Sequence, residues 1–161
     1  AALYEASALV ARAASLDEMA QGFAQQVRRI AGADAAAVRW SDEDNQRYLL
    51  LASDCLPLQL AASEQCVVTG DCHCGQPQAL AATRVIPIRA DAAVEHCTRA
   101  GFQHLVSVPV RLHERVLGEI DLLYRGTPEL ADEDHALLDA LAAHLAGGME
   151  GLRAAAGLDP A

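Results

Sequence analysis

The chain has 161 residues, 52% hydrophobic and only 4% aromatic, with 12 basic against 22 acidic side chains and a formal charge of −10. That length and apolar share suffice for one well-packed domain, whose core has to be built from Leu, Val, Ile and Ala. An acidic surface with dispersed arginines repels phosphate backbones and anionic lipid, and no apolar run reaches the roughly 20 residues needed to span a bilayer, which argues against nucleic-acid binding and direct membrane contact.

Leu3, Ala6, Val10 and Ala13 recur at helical spacing and predict a first helix over residues 3–14. Ser15-Leu16-Asp17-Glu18 reads as a capping box, the Ser15 hydroxyl taking an orphan amide while Glu18 reaches back. A second helix follows, with Leu16, Met19, Phe23, Val27 and Ile30 on one stripe and Gly32 as its stop. Residues 35–40 and 48–52 are strand-like, and the polar 41–45 stretch between them predicts a hairpin. Its Asp42, Glu43 and Asp44 read as a solvated turn, not as paired catalytic carboxylates.

From 53 to 71 the pattern weakens at Pro57, Thr69 and Gly70, predicting a loop with one helical turn. Residues 76–82 read as a short helix, and 84–88 as a short strand whose Pro87 marks a sheet edge. Residues 92–100 read as a helix closed by Gly101. The clearest strands are 105–112 and 116–124, joined by His113-Glu114-Arg115. A last helix starts at Asp132 and carries Leu138, Leu141, Leu145, Met149 and Leu152 on one seam. This order predicts an α+β fold, an antiparallel sheet with helices packed on one side. Residues 1–161 form a single domain, with 1–14 and 145–161 as connecting or dimerising helix ends.

The chemistry concentrates in Cys66-Val-Val-Thr-Gly-Asp-Cys72-His73-Cys74-Gly75 and in Cys97. Five cysteines in a chain of this size, with no export signal, suggest a reducing, cytoplasmic compartment, where clustered thiols are more often ligands or redox groups than staples. The Ala1-Ala2-Leu3 start reads as that of a piece excised from a longer protein. Cys66, Cys72, Cys74 and Cys97 together would supply the four sulfurs that zinc or an Fe–S cluster needs. Cys-x-Cys is not the common CxxC knuckle, however. Three readings therefore stay open: a metal or Fe–S site, a thiol/disulfide switch of Cys72 with Cys74 or Cys97, and buried structural cysteines. Cys55, after a strand and without a partner in sequence, reads as structural. His73 could replace one sulfur. His96 would point about 100° away from Cys97 on a helix. His104, His113, His135 and His144 read as surface or capping residues.

Cys97-Thr-Arg-Ala-Gly101-Phe102, Leu105-Val-Ser-Val-Pro109-Val110 and Val116-Leu-Gly118-Glu-Ile-Asp-Leu-Leu123, followed by the leucine seam, resemble a GAF domain over nearly the whole chain. More narrowly, Asp71-Cys72-His73-Cys74-Gly75 with Cys97-x3-Gly101 resembles the central GAF region of NarX-type nitrate/nitrite sensor histidine kinases. The resemblance implies five or six antiparallel strands, a pocket on one face capped by the middle segment, and terminal helices that join neighbouring signalling modules. It also implies a non-enzymatic domain, homodimeric through its end helices and flanked by kinase modules, in a parent protein of the bacterial inner membrane. Nitrate binding and phosphotransfer belong to other domains of such kinases, and this sequence has no phosphate-cradling glycine loop.

Among other GAF chemistries, Cys72-His73 is similar to the bilin-bearing Cys-His of phytochromes, but Val85-Ile-Pro87 lacks the Asp of their Asp-Ile-Pro element and follows the Cys-His instead of preceding it. The Asn-Lys…Phe…Asp-Glu pattern of cyclic-nucleotide GAF domains is not found. Two alternatives remain: a small-molecule-binding or purely structural dimerising module, and a methionine sulfoxide reductase-type thiol enzyme using Cys97 with Cys72 or Cys74. In the sensory reading, oxidation or metal loss at Cys66, Cys72, Cys74 and Cys97 loosens residues 54–75 and shifts the end helices.

Overall fold

In the computed structural model, residues 2–41, 47–58, 66–68, 83–87 and 101–155 are described. Helix α1 (Ala2–Arg12) is followed after three residues by α2 (Leu16–Ala31). Ser15 is the N-cap of α2: its Oγ accepts the Glu18 N–H at 3.1 Å. Glu18 reaches back one residue further than in a standard capping box and accepts the Ala14 N–H at 2.9 Å. At the other end Gly32 takes the left-handed conformation (φ 62°), its N–H donating to the Arg29 carbonyl and that of Ala33 to the Arg28 carbonyl. This is the Schellman closure, which a glycine reaches at least cost.

The sheet strands are β1 (Ala35–Ser41), β2 (Arg47–Asp54), β3 (Cys66–Val68), β4 (Arg84–Pro87), β5 (His104–Leu112) and β6 (Arg115–Tyr124), and the chain closes with α3 (Asp132–Ala155). Every pairing is antiparallel. Among the described residues the sheet runs β3-β2-β1-β6-β5-β4. Four long strands form its body, and the three-residue β3 and four-residue β4 flank them. The expected α+β architecture is therefore present. β1 and β2 pair as the predicted hairpin, and β4 lies at an edge as Pro87 indicates, since proline has no N–H to give an inner ladder. Leu112 faces Arg115 across the β5–β6 turn, whose first residue, His113, has φ 57°.

One expectation needs correction here. Residues 66–68 belong to a strand, not to a loop: Cys66 pairs with Leu49 and Val68 with Arg47. The β-branched pair Val67-Val68 favours extended backbone once a neighbouring strand offers its ladder. The turn at 42–46, the predicted helices at 76–82 and 92–100 and the segment expected to cap a pocket lie outside the described residues.

Helices α2 and α3 pack on one face of the sheet, and α1 packs on them. Met19, Phe23 and Val27 of α2 and Leu138, Leu141, Leu145 and Met149 of α3 meet Ala36 and Val38 of β1, Val106, Val108 and Val110 of β5, and Ile120 and Leu122 of β6 in one core. The predicted α2 stripe loses its last member, because Ile30 is 37% exposed. Ile30 lies beyond the reach of the sheet and lines a groove between α1 and α2. α1 packs against both α2 and α3, so the two terminal helices lie together. At Gly148 of α3 a Cβ would stand 2.6 Å from Met19 Sδ of α2 and 3.0 Å from Val10 Cγ1 of α1. At the sheet's end, Thr83 Oγ1 donates to Asp139 Oδ1 of α3 at 2.5 Å.

Candidate functional site

Side chains alternate across a strand, so the residues skipped by the helix-facing core point to the opposite face. The register places Ala37, Arg39 and Ser41 of β1, Tyr48 of β2, Leu105 and Ser107 of β5, and Glu119, Asp121 and Leu123 of β6 there. A single solvated face would be exposed. This one is buried, and it is polar: Arg39, Ser41, Ser107, Glu119 and Asp121 are each at most 5% exposed. A buried polar surface on one face of a sheet, away from the hydrophobic core, is costly unless its groups are paired.

At its centre Arg39 Nε donates to Asp121 Oδ2 at 2.9 Å, with the two side chains 2% and 0% exposed. Glu119 sits across from Arg39, and Ser107 across from Asp121. Asp121 Oδ1 is buried and meets no hydrogen-bond donor among the described residues. β6 is held tightly against β1 beside this pair: a Cβ on Gly118 would lie 1.9 Å from the Arg39 carbonyl oxygen, so only glycine fits. Burying an ion pair costs desolvation of both partners, which here secures two charges at one point in the middle of the sheet.

The residues expected to form a thiol site are placed only in part. Cys66 stands on β3, the outermost strand beside β2, and Cys72, His73, Cys74 and Cys97 lie outside the described residues, as does His96. Four thiolates are a donor set suited to an Fe–S cluster or to zinc. Among the described residues no three His, Cys, Asp or Glu side chains converge to hold a metal ion. Cys55, expected to be buried and structural, is instead a free, exposed thiol. It follows the last residue of β2 with φ 59°, and this left-handed step turns the chain out of the sheet and leaves the side chain in solvent. Just before it, Asp54 pairs with Arg28 of α2; this hydrogen bond outweighs desolvation and raises the guanidinium further above its ordinary value. The remaining histidines fit the expected surface or capping roles. His104 Nδ1 lies 3.0 Å from the Gly126 carbonyl oxygen, and His113 and His144 are exposed.

Sequence reading missed Arg39, Glu119 and Asp121. Glu119 and Asp121 alternate with Gly118, Ile120 and Leu122 in the motif that carries the family resemblance. Such alternation ordinarily marks the wet side of a sheet. A usable signal was nevertheless present. β6 lies inside the sheet, and two carboxylates on an inner strand need partners.

Comparison with known proteins bears on this arrangement. Residues 15–149 match the GAF domain family. The chain belongs to that family, a class of signalling and ligand-binding modules. No curated protein matches by sequence. Among solved structures, the GAF domain of an Acinetobacter phosphoenolpyruvate-protein phosphotransferase is similar with a TM-score of 0.80 at 19% identity, over 98% of this chain and 96% of that one. The free methionine-R-sulfoxide reductase of Neisseria meningitidis, solved with its substrate, gives 0.76 at 19% identity, over 95% and 89%. The chromophore-binding domain of the R. palustris bacteriophytochrome RpBphP3 gives 0.74 at 18% identity, over 96% of this chain and 62% of that one. At these identities the likeness is one of fold.

Proposed function

We propose that this chain is the sensory GAF domain of a two-component sensor histidine kinase of the NarX-like nitrate/nitrite type, cytoplasmic, in a parent protein of the bacterial inner membrane. The observation that carries this reading is the placement of the two terminal helices. α1 and α3 pack on each other and on α2, while the buried polar surface lies on the other side of the same sheet. A change at the polar surface is thus one sheet thickness from the helices that would continue into neighbouring modules. Tight packing makes such a sheet respond by a discrete shift. The domain itself carries no catalysis in this reading. No described helix is long and apolar enough to cross a membrane.

The cysteine motif supports a redox or oxygen signal. Cys66, Cys72, Cys74 and Cys97 would hold an Fe–S cluster, which supplies a group whose loss or oxidation changes the local charge and ligation. The test is an anaerobic iron and acid-labile sulfide assay on the wild-type chain and on Cys72→Ser, alongside autophosphorylation of the full-length parent. Iron in the wild type that is lost in Cys72→Ser is the expected result. An iron-free wild-type protein that is folded under strict anaerobiosis removes the cluster. Kinase output indifferent to every change in this domain removes the sensory role.

The likeness to the Neisseria reductase favours one second reading, a thiol enzyme in which Cys97 attacks a sulfoxide and Cys72 or Cys74 resolves it. Turnover of free methionine sulfoxide with a dithiol donor decides it. Dimerisation through the terminal helices completes the primary reading. On the first of these helices Tyr4 is 68% exposed and, with Ile30 of α2, lines a groove of about 540 Å³ open to a second copy.

A further inference from the structure

A signal taken at the thiols around Cys72 and Cys74 has to reach the end helices. Resting on that sensory reading, we propose that the hydrogen bond between Thr83 and Asp139 is the latch through which it does so. Made, the bond holds α3 at one position along the sheet; broken, it lets α3 shift. Thr83 Oγ1 donates to Asp139 Oδ1 at 2.5 Å. That is the length of a charge-assisted bond to a carboxylate, about twice as strong as a neutral one. Thr83 is 8% exposed, so water competes poorly for its hydroxyl.

The place of this bond in the fold gives it that role. β4 is an edge strand of four residues, paired with β5. Val85 of β4 stands across from Val106 of β5, and so on the helix side of the sheet; Val106 is fully buried there, but Val85 is 42% exposed. The apolar cover that the helices give β5 therefore thins out at β4. Thr83, two residues before Val85, meets α3 through its hydroxyl instead. Elsewhere α3 meets the sheet through Leu138, Leu141 and Leu145, which share one core with Val106, Val108 and Val110. Apolar contacts have no preferred direction, whereas a hydrogen bond weakens steeply off its line. The seam thus sets how closely α3 lies on the sheet, and Asp139 sets where it stands along it. In sequence, the stretch holding Cys72 and Cys74 leads directly into Thr83, so a displacement there acts on Asp139. α3 also packs on α1, and a shift of α3 is felt by both end helices.

Hydrogen exchange of the α3 amides around Asp139 reads the latch, and N-ethylmaleimide on the iron-free chain supplies the disturbance. Cys55→Ser first removes the exposed thiol. Full alkylation of Cys72 and Cys74, verified by mass, is expected to speed exchange in α3 by about tenfold or more while α2 stays within about twofold. In Thr83→Val the latch is already absent, so exchange in α3 starts fast and alkylation changes it by less than about twofold. Thr83→Ser keeps the hydroxyl and keeps the response, and adding Cys72→Ser with Cys74→Ser abolishes it. Should Thr83→Val not fold, Asp139→Ala asks the same question at a partly exposed helix position that alanine suits. A bond that only adds stability would raise exchange in Thr83→Val without altering the effect of alkylation. That result, an α3 indifferent to alkylation, an equal rise in α2, or a response that survives the loss of Cys72 and Cys74 each overturns the latch. None of these outcomes touches the iron assay or the dependence of kinase output on this domain, so the sensory reading stands or falls separately.

Discussion

At Asp121 and Arg39 two charges stand in an environment that is costly for either alone. Asp121→Ala removes the charged partner of Arg39 Nε and should lower stability by about 1.5–3 kcal/mol. Urea denaturation checks this through the midpoint at unchanged slope. Tyr124 poses a second residue-scale question. Its hydroxyl donates to the Ala31 carbonyl at 2.8 Å, and burial pushes the phenol up to about 12, with Asp34 and Asp134 adding to the shift. Its folded value lies above the ordinary 10.0, so the folded state holds the proton longer. The resulting stability is fully present below about pH 10 and is lost as pH rises towards about 12. Tyr124→Phe should lose about 1 kcal/mol at neutral pH and show a shallower alkaline decline than wild type over that window, read by thermal melts.

The elements owe their ends to local chemistry. Ser15 and Gly32 bracket α2, and each acts through backbone hydrogen bonds that the sequence alone announces. Ser15→Ala should cost about 1 kcal/mol, seen as a lower urea midpoint without change in the fold. Gly118 is different in kind, because its constraint comes from the neighbouring strand. Gly118→Ala puts a methyl group into the Arg39 carbonyl and should cost about 3 kcal/mol or more, with amide resonances of β1 and β6 shifted around the Arg39–Asp121 pair. Helices and long strands were legible because caps and apolar periodicity are local. The strand at 66–68 was not, since three residues become a strand only when β2 offers them a ladder.

Over the described residues, the sheet separates a hydrophobic helix layer from a buried polar face, and the first and last helices both lie in the helix layer. If copies meet through the groove between α1 and α2, Tyr4→Arg should shift the chain from dimer to monomer in sedimentation equilibrium while leaving its melting temperature within a few degrees, because Tyr4 is exposed. A dimer that persists in this variant moves the interface elsewhere. The same layering accounts for Cys55. Read from its neighbours it passes for a core thiol, yet the left-handed turn at the end of β2 carries it into solvent.

The sequence by itself determined the three described helices, five of the six described strands, the capped ends of α2 and the GAF family, because each depends on residues close together in the chain. Only the tertiary structure decided that Glu119 and Asp121 are buried rather than wet, and that Asp121 pairs with Arg39. Alternation along a strand reports that two faces differ. What lies against each face depends on Arg39, 82 residues away from Asp121, and on the strand order that brings them together.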